Sequence, residues 1–187
     1  MRPIILASKS PRRQQLLYDC GFDFEVRSQD TDESFADTMP VADVAPYLAQ
    51  KKARASLQLL TTDDQIMITA DSVVILDNEI FNKPADFAAA FAMLRRLAGS
   101  MHRVVTGVCL TSRDKEVVFS DITSVWLSPM TDAEIKFYIN EYEPFDKAGS
   151  YGIQDWIGLT HIARIDGSYS NVMGLPTARL YNELLAF

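Results

Sequence analysis

The stretch from Gln65 to Leu76 constrains this chain most. Ile66, Ile68, Val73, Val74 and Ile75 read as a buried strand, and Asp71 interrupts it. β-Branched residues suit a pleated backbone, and a run this apolar is a buried strand. Pro3 to Ala7 is a second short apolar strand, followed by Ser10-Pro11, the N-cap and first-position pair of a helix running through Leu16 and Leu17 to Gly21. Phe22 to Arg27 alternates Phe22, Phe24 and Val26 with charged residues, a strand pattern. Asp43 opens a second helix, with Pro46 tolerable in its first turn and Leu48, Ala55 and Leu59 on one face.

Asp86 caps a third helix carrying Phe87, Ala90, Phe91, Leu94 and Leu97 at helical spacing. Arg103 to Thr111 and Val117 to Leu127 form two antiparallel strands around a polar turn at Ser112 to Lys115. Thr131-x-x-Glu134 is a capping box ahead of Ile135, Tyr138 and Ile139. Gly158 to Ile165 reads as a strand, and Leu175 to Leu185 as a C-terminal helix opened by Gly174. Helices and strands interleave while neighbouring strands also form hairpins. That combination predicts an α/β fold with a mixed, twisted sheet and flanking helices, in a single domain over residues 1–187.

Composition excludes several classes. At 187 residues, 48% hydrophobic and 23% charged, the chain is neither collagen-like, disordered nor a disulfide scaffold. The longest wholly apolar run, Phe87 to Leu94, is far short of the roughly 20 residues that span a bilayer. Pro3 to Ala7, bracketed by Arg2 and Lys9, is too short for a secretory signal. Cys20 and Cys109 fit no metal or redox spacing, so two reduced thiols in a cytoplasmic protein are expected. A net charge of −7 argues against a nucleic-acid-coating role, and no membrane partner is expected.

Five places break the local pattern. Residues 1–18 carry Arg2, Lys9, Arg12 and Arg13 and no acid; with Ser8 and Ser10 at a helix start they make either an anion cradle or a capped helix with solvated arginines. Asp71, between two apolar stretches, must be paired, metal-bound or at a strand end, unless it is a turn joining two strands. Asp32-Glu33 lies in an acidic stretch with no Lys or Arg between Arg27 and Lys51, a solvated loop or oxygen ligands for Mg²⁺. Lys51, Lys52 and Lys83 are surface lysines or phosphate hands, and Pro84 holds Lys83 extended. Glu143 to Gln154 is a long glycine-bearing connector, of the kind that often carries function. No common phosphate loop, zinc motif or nucleophile elbow accompanies them.

Taken in order, several segments resemble the Maf family, the septum-formation-inhibitor-like nucleotide pyrophosphatases. They are Leu6-Ala7-Ser8-x-Ser10-Pro11-Arg12-Arg13, Asp32-Glu33, Leu48-Ala49-x-x-Lys52-Ala53, Ala70-Asp71-Ser72-Val73-Val74 and Lys83-Pro84. Gly99-x-x-His102-x-Val104-x-Thr106-Gly107 follows, then Glu143-Pro144-x-Asp146-Lys147-Ala148-Gly149-x-Tyr151-Gly152-Ile153-Gln154 and Ile165-x-Gly167-Ser168-Tyr169-x-Asn171-Val172-x-Gly174-Leu175-Pro176. The resemblance implies hydrolysis of a nucleoside triphosphate to the monophosphate and pyrophosphate, with two lobes around a central nucleotide-binding cleft. It also implies a divalent metal, Mg²⁺ or Mn²⁺, and a homodimer. Asp71 matches the family's catalytic base, with Glu33 sharing the metal. Ser8, Ser10, Arg13, Lys52 and Lys83 match positions associated with the phosphates or substrate.

Arg12 and Gln154 resemble the dTTP/UTP branch, where the 7-methyl-GTP branch has Trp and Glu. Ser72 departs from the Thr usual in that branch, keeping the hydroxyl. A Gln amide has both a donor and an acceptor, which suits the N3–H and O4 of uracil or thymine. Two alternatives stay open: a pyrophosphatase for a purine or methylated triphosphate, and a nucleotide-binding regulator of septum formation.

Overall fold

Strand-forming and helix-forming segments alternate along the chain, and the computed structural model, which describes residues 2–187, arranges them around one seven-stranded mixed sheet. The strands are β1 (Ile4–Leu6), β2 (Phe24–Val26), β3 (Ile66–Leu76), β4 (Glu79–Phe81), β5 (Met101–Thr111), β6 (Glu116–Leu127) and β7 (Ile162–Asp166). Their order is β2-β1-β3-β5-β6-β7, with β4 added onto β3. β1 pairs parallel with both β2 and β3, whereas β3–β4 and β6–β7 are antiparallel. The helices are α1 (Pro11–Asp19), α2 (Val44–Ala55), α3 (Phe87–Leu97), α4 (Asp132–Tyr142), α5 (Trp156–Thr160), α6 (Tyr169–Met173) and α7 (Thr177–Ala186). None is long and apolar enough to cross a membrane among the described residues.

The residues divide into two compact units, and β3, β5 and β6 each contribute a segment to both. The first unit holds residues 1–71, 106–121 and 174–187. Strand alternation divides its apolar residues between two packing faces. Ile4, Leu6, Ile66, Ile68, Val108 and Leu110 pack with Leu17 of α1 and Leu180 and Leu184 of α7. Ile5, Met67 and Cys109 pack instead with Ala49 and Ala53 of α2. Cover on both faces is why these strands read as continuous apolar runs rather than alternating ones.

The second unit holds residues 72–105 and 122–173. Its single core joins Val74, Val104 and Val125 from the strands to Leu94 of α3 and to Ile135, Tyr138 and Ile139 of α4. Asp77 and Asn78 turn β3 into β4 with positive φ at both residues, a conformation Asp and Asn tolerate better than most. α3 starts on Asp86, whose carboxylate accepts from the Ala89 N–H at 2.8 Å. α4 starts on the expected capping box, Thr131 with Glu134.

Three expectations are corrected. β3 runs unbroken through Asp71, because that carboxylate finds an ionic partner within the sheet's own unit. α2 stops at Ala55 and buries Ala53 rather than Ala55, while Leu59 lies in a separate 3-10 turn over Leu57–Leu59. Residues 156–160 are helical, and β7 begins only at Ile162. There the N–H groups of Gly158 and Leu159 both bond the Asp155 carbonyl, and Gly158 lies so close to the Ile153 carbonyl that no other residue fits. The alternating Ile157 and Leu159 imitate a strand, but Ile157 is buried and Leu159 faces water. Ser10 is the N-cap of α1 and Pro11 opens the helix, as the sequence predicts, although the Ser10 side chain makes no capping bond. α6 and β4 carried no sequence signal strong enough to be placed, each being five residues or fewer.

Candidate active site

In the first unit, β1 leads through Ala7 to Ser10 into the N-terminus of α1. Ser8 is buried and its Oγ accepts from the Ser10 N–H at 3.3 Å, while its carbonyl accepts from Gln14 Nε2 at 3.3 Å. Arg13, half-buried on the first turn of α1, donates Nε to the Gly174 carbonyl and Nη1 to the Ala70 carbonyl, both at 2.8 Å. It therefore braces the strand at the residue before Asp71. Desolvation pulls its pKa below the ordinary arginine value, the charge of Asp71 pushes it back up, and Arg12 and Glu33 also act on it. A guanidinium stays charged under such shifts.

Asp71 is buried on β3, and its Oδ1 accepts from Lys52 Nζ on α2. The same Nζ lies 2.8 Å from Glu33 Oε1. One ammonium thus gathers two carboxylates that are 38 positions apart in sequence. Neighbouring Asp32 goes elsewhere: it accepts from Lys51 Nζ at 2.8 Å and from the Ser34 N–H at 3.0 Å, and those bonds hold it well below the usual carboxylate range. The acidic stretch is therefore organised by the two adjacent lysines of α2. The first unit brings together Arg12, Arg13, Glu33, Lys52 and Asp71, three cations against two carboxylates. Such a net positive, partly desolvated cluster is chemistry for a phosphate chain.

The second unit carries Ser72, Lys83 and Gln154. Ser72 follows Asp71 on β3, half-buried, and successive strand residues face opposite sides. Lys83 is exposed, in the irregular segment after β4. Its neighbour Asn82 accepts from the Gly149 N–H at 3.3 Å, which ties the lysine's segment to the 3-10 turn at Ala148–Ser150. Gly149 has φ of +69°, and a Cβ there would meet Val74 Cγ2 at 2.9 Å, so both conformation and space call for glycine.

Gln154 sits in a densely bonded turn. Its Nε2 donates to Asp155 Oδ1 at 3.0 Å, and its Oε1 is buried with no hydrogen-bond partner among the described residues. Asp155 Oδ2 in turn accepts from the Tyr138 hydroxyl at 2.8 Å, and that hydroxyl accepts from the Gly152 N–H at 3.0 Å. His102 on β5 meets the Tyr151 hydroxyl at 2.7 Å from the same turn. Burial lowers the His102 pKa to about 4, so the ring is neutral at neutral pH. Tyr138 and Asp155 were not singled out from the sequence. The one available signal was Asp155 itself, an acid set between Ile153 and Trp156-Ile157.

A family profile described as Maf-like protein matches residues 3–187. A dTTP/UTP pyrophosphatase of Flavobacterium psychrophilum is 46% identical over 182 residues, covering 97% of this chain and 93% of the relative. One from Parabacteroides distasonis is 45% identical over 185 residues, covering 98% and 95%, and one from Bacteroides fragilis is 43% identical over 182 residues, covering 97% and 94%. The solved Ham1 protein of Staphylococcus aureus shares the fold with a TM-score of 0.52 at 16% identity, over 97% of this chain and 100% of that one. The matched profile spans both units, and the relatives align across nearly the full length: the chain belongs to the Maf-like protein family.

Proposed function

We propose that this protein hydrolyses dTTP and UTP to the nucleoside monophosphate and pyrophosphate, acting through residues 1–187 as one functional domain. The relatives bearing that activity in their names support the reaction, and the cluster in the first unit supports the chemistry. Phosphoryl transfer is mostly positioning and charge stabilisation. Water attacks the α-phosphorus with Asp71 as the group that orients it and takes its proton. The bond from the α-phosphorus to the α–β bridging oxygen breaks, and pyrophosphate leaves with the electron pair. Arg12, Arg13, Lys52 and Lys83 are the cations that offset charge on the phosphates, with the Ser8 and Ser10 segment at the start of α1 supplying hydroxyl and N–H donors. Gln154 reads the base: Oε1 accepts from N3–H and the remaining Nε2 hydrogen donates to O4.

The residues also fit a divalent cation. Mg²⁺ is usually held by one or two carboxylates plus substrate phosphates and waters, and Glu33 with Asp71 supplies that kind of oxygen set. No group of three His, Cys, Asp or Glu gathers among the described residues, so a cage built wholly from protein is absent there. Bound at these carboxylates, Mg²⁺ or Mn²⁺ would supply Lewis-acid stabilisation of the phosphate charge.

The observation that carries this reading is the single ammonium of Lys52 holding Glu33 and Asp71 beside Arg13. It is tested by incubating the protein with Mg²⁺ and dTTP, UTP, CTP, GTP or 7-methyl-GTP and separating the products. Monophosphate and pyrophosphate from dTTP and UTP above the others are expected. Diphosphate and orthophosphate, or a preference for 7-methyl-GTP, would contradict it.

A further inference from the structure

The Gln154 carboxamide is useful for base recognition only if its two ends are told apart. Uracil and thymine present a donor at N3 and an acceptor at position 4, whereas cytosine presents the reverse. An amide turned over about its terminal bond would exchange Oε1 for Nε2 and accept cytosine as readily. Rotation of that bond is soft, so the side chain alone does not choose.

The surroundings do choose. Asp155 Oδ1 accepts from Gln154 Nε2, and a carboxylate can only accept. Turning the amide over would lose that bond and set Oε1 against a negative oxygen. Asp155 is itself fixed from behind by the Tyr138 hydroxyl, whose proton points at Oδ2 because the Gly152 N–H occupies an acceptor site on the same oxygen. Tyr138 is fully buried on α4, and burial together with the Asp155 charge holds its pKa far above the ordinary tyrosine value, so the proton stays in place. Gly152 keeps the turn tight: a Cβ there would come 2.5 Å from Gln154 Nε2 and 2.6 Å from Asp155 Oδ2. Oε1 meanwhile has no protein donor among the described residues. A buried acceptor left this way is costly until a ligand N–H reaches it.

We infer that Asp155, held by Tyr138, is a specificity-determining positioning residue that locks the Gln154 amide in the uracil- and thymine-reading orientation and so excludes cytosine nucleotides. The inference rests on Gln154 being the base reader. Asp155→Asn should undo the lock without changing side-chain size. The Tyr138 hydroxyl then keeps its bond by donating to the Asn Oδ1, which turns Nδ2 toward Gln154. Facing a donor, the amide presents Oε1 to it and offers Nε2 to the base, the arrangement cytosine needs.

The test is the dissociation constants of α,β-methylene UTP and α,β-methylene CTP for the full chain, Asp155→Asn, Tyr138→Phe and Gln154→Ala. In Asp155→Asn the CTP analogue should bind at least about tenfold tighter and the UTP analogue at least about tenfold weaker, the size expected when a paired polar contact is reversed. Tyr138→Phe should move both in the same directions by a smaller factor, and it carries the test if Asp155→Asn does not fold. Tighter binding of one analogue cannot come from general damage. If both variants weaken the two analogues in parallel, or leave their ratio unchanged, while Gln154→Ala still abolishes the preference, the positioning role is overturned and the Gln154 reading survives. If Gln154→Ala leaves the preference intact, the base-reading assignment fails and the inference falls with it.

Discussion

Asp71→Asn should lower kcat for dTTP by about 10³-fold or more while moving the melting temperature by no more than about 4 °C. The two halves of that expectation have different causes. Asn cannot take a proton from water, and removing a positioned general base usually costs between about 10² and 10⁴ in rate. Stability changes little because Asn keeps the shape of the side chain and an oxygen for Lys52 Nζ, and Lys52 keeps Glu33 at 2.8 Å. The ammonium is therefore never left unpaired, the situation that makes loss of one member of a buried pair expensive. Single-turnover kinetics with a thermal melt on the same preparation would check both. Retained turnover would remove Asp71 from the base role, and a collapsed melt would make it a structural ion-pair partner instead.

Gly107→Ala should destabilise the protein by about 3 kcal/mol and lower its melting temperature by about 10 °C. Gly107 lies on β5 under the start of α2, and a Cβ there would sit 2.3 Å from Pro46 N and 2.4 Å from Ala45 C and Pro46 Cα. These are backbone atoms and cannot swing aside. The strand cannot retreat either, since Val105, Thr106 and Val108 are all fully buried. α2 must lift, and with it Lys52, so the loss of stability should come with a loss of kcat/KM at temperatures where the variant is still folded. Thermal unfolding and steady-state kinetics at low temperature would follow the two effects. A variant with an unchanged melt would mean that α2 does not lie as close to β5 as the structure has it.

Much of this was legible in the sequence because the signals were local. The Asp86 cap, the Thr131–Glu134 box and the burial of β1 and β3 each follow from a few adjacent residues. The strand-to-helix step at Ser8–Arg13 was legible for the same reason, although the N-cap Ser10 makes no side-chain capping bond and Arg13 braces backbone carbonyls at Ala70 and Gly174. What the sequence could not place were contacts made by tertiary proximity. The motif resemblance names Lys52 and Glu33, but residue chemistry alone does not say that Lys52 rather than Lys51 reaches Asp71 or that Glu33 rather than Asp32 joins it; the rotation of α2 and the path of the 31–36 loop decide these contacts. The turn at 151–158 was hidden for another reason. Ile157 and Leu159 alternate like a strand, while the feature that bends them into a helix is the close approach of Gly158 to the Ile153 carbonyl. Tyr138 looked like one more apolar position on α4, and only the fold shows its hydroxyl aimed at Asp155.

The motif segments also separate into two kinds once the structure is known. Asp71, Lys52 and Gln154 are the ones proposed to present chemistry, whereas Gly107 and His102 have packing roles in their own units. Gly107 is explained by the approach of α2, and His102 by its bond to Tyr151 at one end of the Gln154 turn. A sequence pattern alone weights these residues equally.

Attack by water at the α-phosphorus is tested by hydrolysis of dTTP in H₂¹⁸O with Mg²⁺, followed by mass analysis of both products. One ¹⁸O is expected in the thymidine monophosphate and none in the pyrophosphate. Label in the pyrophosphate, or in orthophosphate released beside a diphosphate, would place the attack on another phosphorus and contradict it.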